Sequence, residues 1–176
     1  MRQRIPNLLI VGGDGRNSGK TAMICRIIAQ LKDERIIPVK ISPHFHEPSR
    51  GLVEITSEEG YRIFEETSLW SAKDTSRMLQ AGAQKVYYIQ SSEEALAMAF
   101  GKLGELLPAD SAVVCESPAL IKYIEPGLFI LMKGSDRPSK DISEIENYSH
   151  YSFTVEQLDK EILLPFVVSG GEWKKE

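Results

Sequence analysis

Short apolar runs alternate with segments of helical periodicity along most of this chain. The runs are rich in Val, Ile and Leu, which is typical of parallel strands buried on both faces. They lie at residues 8–11, 36–42, 86–89, 112–115 and 127–132. Apolar residues at three- and four-residue spacing predict helices at about 19–33, from Lys73 to Gly82, and from Ser91 or Ser92 to Pro108. This alternation predicts an α/β fold of three layers with a mostly parallel central sheet.

Two local signals refine the positions of these elements. Pro38 has no N–H to donate to a neighbouring strand, so the strand within 36–42 is expected at a sheet edge or with this proline as its first residue. Asp74 is a candidate N-cap for the second helix, and Gly82 is its candidate terminator.

Two segments break the alternation. Residues 52–66 alternate apolar and polar residues on either side of Glu58-Glu59-Gly60, which predicts an antiparallel hairpin inserted into the fold. The hairpin is a candidate lid or partner surface; the alternative is an ordinary exposed turn with a solvated acidic tip. Residues 142–176 predict a short helix, a strand near Tyr151 to Thr154, a helix around Val155 to Lys160 and a charged tail.

Composition and charge narrow the classes of function. The chain has 176 residues, 42% of them apolar and 26% charged, with a formal net charge of −4. We expect a single domain over residues 1–176 with no electrostatic attraction for nucleic acid. Cys25 and Cys115 are expected in the core, which suits a reducing cytoplasm. No signal peptide or bilayer-spanning segment is evident, so we expect a cytoplasmic protein without membrane contact.

The stretch GGDGRNSGKT at residues 12–21 joins the first strand to the first helix, which is the context of a phosphate-binding loop. Its glycines let the backbone approach a phosphate, and successive N–H groups at a helix N-terminus attract an anion. Lys20 would reach the outer phosphates, and the Thr21 hydroxyl would bind Mg²⁺. We therefore expect a nucleoside triphosphate, GTP or ATP, with Mg²⁺, held by Gly13, Gly15, Arg16, Asn17, Ser18, Gly19, Lys20 and Thr21.

The loop departs from the pattern G-x-x-x-x-G-K-[ST] at one position. Asp14 occupies the slot of the first glycine, and Gly13 and Gly15 flank it. Counting from Gly13 gives one extra loop residue, a spacing similar to that of dethiobiotin-synthetase-like P-loop enzymes. The alternative is a glycine-rich turn that only connects a strand to a helix.

Glu116 closes the buried strand at 112–115 and is the candidate catalytic acidic residue, together with Lys20. A carboxylate beside a phosphate loop is a hard oxygen ligand for Mg²⁺ and can orient an attacking water. Thr21 and Glu116 are therefore the candidate metal ligands. The alternative role for Glu116 is to cap the following Ser117-Pro118 turn.

Two further segments are candidates for contacts with substrate or base. The loop PHFHEPSRG at residues 43–51 carries His44 and His46, which could bind metal, act as acid or base, or contact a substrate. The alternative is an ordinary exposed loop, which the spacing alone favours because two histidines without nearby Cys or carboxylate groups make a poor metal site. The segment KGSDRPSKD at residues 133–141 follows a strand, as does the base-reading element of GTPases. Asp136 stands one residue too far from Lys133 for that element, so the segment does not establish guanine specificity.

Four stretches in this order resemble the MobB family, accessory proteins of molybdopterin-guanine dinucleotide synthesis. They are GRNSGKT, VKISPHFH, KDTSRMLQAGA and VVCES, within residues 7–133. The resemblance implies a P-loop NTPase fold and places Lys40, His44, His46, Asp74 and Arg77 on the substrate side. It also implies a homodimer that hydrolyses GTP or ATP slowly beside a partner nucleotidyltransferase. Asp14 and the Ser117-Pro118 pair depart from the family pattern.

Three functions remain open at this point. The first is the nucleotide-dependent accessory protein, a weak NTPase, that the MobB resemblance implies. The second is a stand-alone ATP-dependent ligase or small-molecule kinase of the dethiobiotin-synthetase type. The third is a regulatory switch that reports nucleotide state through the hairpin at 52–66.

Overall fold

Strands and helices alternate through most of the chain in the computed structural model, which describes residues 1–134, 138 and 140–176. The strands are β1 (Gln3–Gly13), β2 (Ile36–Ser42), β3 (Leu52–Glu58), β4 (Tyr61–Glu66), β5 (Tyr87–Ser91), β6 (Ala112–Glu116), β7 (Ile124–Lys133), β8 (Tyr151–Thr154), β9 (Phe166–Ser169) and β10 (Glu172–Lys175). The α-helices are α1 (Lys20–Gln30), α2 (Asp74–Gln80), α3 (Leu96–Leu106), α4 (Ser143–Glu146) and α5 (Val155–Leu158). A short 3-10 helix spans Pro118–Lys122.

An eight-stranded sheet in the order β3-β4-β5-β2-β6-β1-β7-β8 organises the fold. Strands β1, β2, β5, β6, β7 and β8 pair in parallel, and β3 and β4 form an antiparallel hairpin joined to β5. Helices α1 and α2 pack on one face, and α3 and the 3-10 helix pack on the other. The predicted three-layer α/β fold, with its mostly parallel sheet and hairpin, is confirmed.

The central strand β1 shows why the sheet is buried on both faces. Leu8 and Ile10 pack into the core beneath α3, whereas Leu9 and Val11 pack against α1, because successive side chains of a strand point to opposite faces. Val11 lies opposite Glu116 in the parallel pairing of β1 with β6. The end of β6 therefore lies beside the start of the glycine-rich loop.

The prediction that Pro38 marks a sheet edge or a strand start is wrong. Strand β2 lies inside the sheet, between β5 and β6. Its pairing with β6 covers Ile36 to Lys40, but its pairing with β5 begins only at Val39. Pro38 thus precedes the second ladder, so its missing N–H leaves no gap there.

The predicted start of α3 at Ser91 or Ser92 is also wrong. Ser91 is the last residue of β5, where it pairs with Tyr61 of the hairpin and is buried. The helix begins at Leu96, after a turn. Tertiary pairing with β4 therefore extends the strand past the residue that has the local preference for a helix cap.

The charged C-terminal tail is a second, two-stranded sheet made of β9 and β10. Gly170 and Gly171 form its two-residue turn with left-handed backbone, φ 62° and 78°. Phe166 and Trp173 are buried against the α1 face of the main sheet. The Gly-Gly pair between short strands was the sequence signal for this hairpin.

Three other expectations meet the structure more simply. Cys115 is buried, but Cys25 on α1 is only half-buried and so is not a full core residue. The hairpin β3–β4 is fixed to the main sheet through the β4–β5 ladder, which does not fit a hinged lid. Within the described part of the chain, we find no helix that has the length and apolar character required to span a bilayer.

Candidate functional site

The glycine-rich loop forms the floor of a cleft of about 450 Å³ at the carboxyl ends of the central parallel strands. Residues 16–22 line one side, and Lys40, Asp74, Arg77 and Glu116 line the other. These groups come from β2, α2 and β6, which are far apart in sequence. Ligands of open parallel sheets bind at this end of the strands.

The loop conformation explains which glycines it needs. Asn17 and Gly19 adopt left-handed backbone, φ 58° and 87°, whereas Asp14 does not. A Cβ on Gly13 would lie 2.1 Å from the Ser18 hydroxyl oxygen. Gly13 is therefore a position of this loop that requires glycine.

Asp14 ties the loop to the end of β7. Its side chain is buried, and its two carboxylate oxygens accept the Gly134 N–H at 3.0 and 3.2 Å. Its backbone N–H donates to the Met132 carbonyl at 3.2 Å, and its carbonyl accepts from the Lys140 N–H at 3.3 Å. Asp14, the residue that departs from the sequence pattern, thus fixes the loop to the end of β7. The pattern alone did not indicate this role.

The candidate base-contacting segment at residues 133–141 is described only in part. Asp136 lies outside the described residues, so its predicted contact with a base or ribose stays a prediction. The Lys133 ammonium is exposed and donates to Glu146 at 2.7 Å.

The Lys20 side chain folds back over the loop. Its ammonium donates to the Gly15 carbonyl at 2.6 Å and to the Ser18 hydroxyl at 3.2 Å. Burial lowers the pKa of Lys20 below its ordinary value, and the negative charge of Glu116 opposes this only in part. A phosphate oxygen carries more negative charge than either neutral acceptor, so it would bind this ammonium more strongly.

Glu116 lies at the centre of a polar network behind the loop. Its Oε2 accepts from the Thr21 hydroxyl at 2.9 Å, and its Oε1 accepts from the Lys40 ammonium at 3.3 Å. The side chain is buried, at 8% exposure. Both oxygens are therefore engaged by groups of the cleft and not by the Ser117-Pro118 turn, which disfavours the capping role.

Lys40 joins Glu116 to Asp74. Its ammonium also donates to the Asp74 carboxylate, so a single cation bridges two acids. Burial alone would lower the pKa of Lys40, but the charges of Glu116 and Asp74 outweigh it and raise that pKa. Burial likewise opposes ionisation of Asp74, but Lys40 and Arg77 hold its pKa below the ordinary value.

The prediction that Asp74 is the N-cap of α2 is wrong. Lys73, in extended conformation, precedes the helix, and Asp74 is its first residue. The Asp74 carboxylate contacts Lys40 and lies 3.5 Å from the Arg77 guanidinium. Two ionic partners outweigh the local cap, because charge-assisted hydrogen bonds are stronger than neutral ones. Gly82, with φ 114°, follows the helix as its predicted terminator.

The donor set fits Mg²⁺ bound together with a nucleotide. The Thr21 hydroxyl and the Glu116 and Asp74 carboxylates would be the hard oxygen ligands, because Thr21 contacts Glu116 and the Lys40 ammonium contacts both carboxylates. Among residues 1–134, 138 and 140–176, there is no cluster of three or more His, Cys, Asp or Glu side chains that could hold a metal ion by itself. Mg²⁺ is suited to such an incomplete set because it takes one or two carboxylates and completes its shell with phosphates and water.

A second cavity of about 410 Å³, here called the side cavity, adjoins the cleft. It is lined by residues 46–49, Leu52, residues 73–75, Tyr88, Lys40 and Asp74. Lys40 and Asp74 therefore line both spaces. Tyr88 carried no sequence signal of this position beyond its place in an apolar strand.

The two histidines of the 43–51 loop lie in different surroundings. His46 lines the side cavity, accepts or donates a hydrogen bond with Gln90 at 3.1 Å, and stands edge-on to Tyr88. His44 is exposed and lines neither the cleft nor the side cavity. The structure thus places one member of the pair next to the candidate site and leaves the other outside it.

Comparison with known proteins identifies the fold. No protein-family model matches the chain, and no curated protein matches it. Among solved structures, LpxK from Aquifex aeolicus, an "apo" form crystallised in complex with ATP, is similar with a TM-score of 0.54 and 18% identity. The likeness covers 93% of this chain and 53% of LpxK, so this chain spans about half the length of that protein. The chain has a P-loop NTPase fold, and the MobB resemblance rests on sequence motifs alone.

Proposed function

We propose that residues 1–176 act as a single P-loop domain that binds a nucleoside triphosphate with Mg²⁺ and hydrolyses it slowly. The observation that carries the proposal is the loop itself, in which Lys20 and the α1 N-terminus face a cleft that also presents Thr21 and Glu116. This arrangement supplies an anion nest, a cation and metal ligands within one site. Lys20 contacts the phosphates, and Thr21 and Glu116 serve the metal.

The identity of the base and the pathway form the narrower part of the proposal. ATP in the LpxK structure favours an adenine nucleotide, whereas the MobB resemblance favours guanine. We place the chain as a MobB-like accessory protein, a homodimer acting beside a nucleotidyltransferase in molybdenum cofactor synthesis. Titration with ATP and GTP in parallel decides the base, and co-purification with a nucleotidyltransferase tests the partner.

Lys20→Ala should weaken triphosphate binding by at least about tenfold. It removes a charge-assisted contact in a sheltered cleft, worth at least about 1.5 kcal/mol. Isothermal titration with ATP and GTP in the presence of Mg²⁺ measures the change. Lys102→Ala is the matched control, because Lys102 pairs with Glu105 on helix α3 and does not line the cleft. Equal affinities of Lys20→Ala and wild type would refute the loop assignment.

The isolated protein should turn over nucleotide well below the 1 to 100 per second typical of kinases. Phosphoryl transfer needs positive charge on the transition state, and a missing arginine is worth roughly a thousandfold in rate. Arg77 lines the cleft but lies against Asp74 at 3.5 Å, and Arg16 is exposed. Arg77 is thus already paired with an acid, and Arg16 lines the cleft as an exposed side chain, so we expect the arginine from a second copy or from a partner.

Turnover across a dilution series, with the mass in solution determined at each concentration, measures this dependence. A rate per protomer that falls as dimers dissociate supports the accessory reading. A monomer that hydrolyses several nucleotides per second, independent of concentration and of added protein, would contradict it.

The side cavity favours a second candidate function, a stand-alone kinase or ligase. A cavity of about 410 Å³ has the size of a small-molecule site, and Lys40 and Asp74 form the wall between it and the cleft. A second reactant held there would lie next to the triphosphate. The test incubates the protein with γ-³²P-ATP and a small-metabolite extract. A kinase transfers the label to a metabolite, whereas a ligase releases it as inorganic phosphate only when the extract supplies its substrate. Either outcome in wild type, lost in Ser49→Trp, which fills the side cavity, would favour this function.

A further inference from the structure

The Lys40 ammonium occupies an unusual position among the oxygen atoms of the cleft. It contacts the Asp74 carboxylate and lies 3.3 Å from Glu116 Oε1, while the other oxygen of Glu116 accepts from Thr21. The hydroxyl and the two carboxylates are the groups that suit Mg²⁺. The positively charged Lys40 ammonium therefore lies among the oxygen atoms that would otherwise suit a divalent cation.

Charge balance explains why such an arrangement holds together. Asp74 and Glu116 bring two negative charges to a site in which Glu116 is buried, and adjacent like charges in a sheltered site repel strongly. Lys40 compensates one charge at contact with both acids. A divalent cation would compensate both charges, but it must displace the ammonium and shed tightly held water to do so.

We propose that Thr21, Asp74 and Glu116 form the divalent-cation site of this protein, and that Lys40 occupies it until the metal arrives with the triphosphate. The proposal rests on the proposed nucleotide binding and adds Asp74 to the metal ligands. The bare metal finds only two carboxylates and an ammonium that competes for them. The triphosphate adds its own oxygens to the coordination shell and its own negative charge for Lys40 to contact.

Lys40 has room for this change of partner. Its side chain is 25% exposed and stands on the wall between the cleft and the side cavity. Lysine carries its charge on four flexible methylenes, so the ammonium can leave the carboxylates without movement of strand β2. The free protein thereby rejects metal ions without nucleotide and accepts them with it.

The test measures Mn²⁺ binding by electron paramagnetic resonance, which reports the free hydrated ion, with and without the non-hydrolysable analogue AMPPNP or GMPPNP. Wild type without nucleotide should bind Mn²⁺ weakly. Lys40→Met, which keeps the length of the side chain and removes the charge, should bind Mn²⁺ without nucleotide at least about tenfold more tightly. Lys73→Met is the matched control, because the exposed Lys73 lines the side cavity but forms no ion pair with Asp74 or Glu116.

Asp74→Asn tests the metal ligand independently of the lysine. It should weaken Mn²⁺ binding in the nucleotide complex by about tenfold or more, since cation affinity follows the number of charged ligands. In the double variant Lys40→Met/Asp74→Asn, the gain of the single lysine variant should be lost. A purely structural ion pair would instead leave Mn²⁺ affinity unchanged in both single variants.

Binding of the same analogues, followed separately with fluorescent mant-nucleotides, distinguishes the two levels of failure. Wild type that binds no triphosphate would overturn the proposed function. Variants that bind triphosphate normally, with Lys40→Met no tighter for Mn²⁺ than wild type, would overturn the role of Lys40 alone. Thermal unfolding of each variant with and without Mn²⁺ confirms that folded protein is compared, and Lys40→Met should gain more stability from Mn²⁺ than wild type.

Discussion

Glu116→Gln should slow nucleotide hydrolysis by at least about 100-fold while changing triphosphate affinity, measured without metal, only slightly. A positioned carboxylate that orients water or its metal contributes about 10² to 10⁴ in rate. Glu116 is buried, and its two oxygens face Thr21 and Lys40 at the back of the cleft. The amide keeps the shape and can still accept from Thr21, so the change isolates the charge.

Single-turnover hydrolysis and nucleotide titration on the same preparation measure the two quantities. Glu125→Gln is the matched control, since Glu125 is exposed. Within the described part of the chain, its one ion pair is with Arg4 at 3.9 Å. Wild-type hydrolysis and Mg²⁺ dependence in Glu116→Gln would return Glu116 to a structural role. A loss of binding as large as the loss of rate would mean that Glu116 shapes the loop more than it serves the reaction.

Trp173→Ala should lower the free energy of unfolding by about 3 to 5 kcal/mol, the range for truncating a large buried aromatic residue. The Trp173 side chain is 4% exposed, and its indole N–H donates to the carbonyls of Asn7 at 3.1 Å and Val113 at 3.0 Å. Truncation leaves a cavity and removes the donor for both carbonyls. Since domains are stable by about 5 to 15 kcal/mol, this loss is a large fraction of the total.

Urea unfolding followed by circular dichroism measures the effect. Trp70→Ala is a close control, because the Trp70 side chain is 94% exposed and its truncation should change stability by no more than about 0.5 kcal/mol. If the two alanine variants unfold at the same urea concentration, the β9–β10 sheet does not pack on the main sheet in solution.

The sequence by itself determined the elements whose local pattern and tertiary environment agree. The backbone of the glycine-rich loop is left-handed at Gly19 and passes close to the Ser18 side chain at Gly13. Glycine is the residue that allows both, so the composition of the loop indicates its conformation. The strand at 112–116 is apolar because it is buried on both faces, and its last residue meets the loop because parallel strands end at one edge of the sheet. The fold class, the position of the loop and the position of Glu116 beside it therefore followed from residue types and spacing.

The tertiary structure alone decided which distant side chains meet. Lys40 bridges Asp74 and Glu116 over sequence separations of 34 and 76 residues, and Asp14 clasps Gly134 over 120 residues. Asp74 had a plausible local partner as a helix cap, and an ionic contact from another strand outweighed it. The side cavity likewise exists only where a loop, a hairpin and a helix converge. Periodicity reports the burial of each residue within its own element, whereas these contacts depend on how the elements pack, and that information is spread over the whole chain.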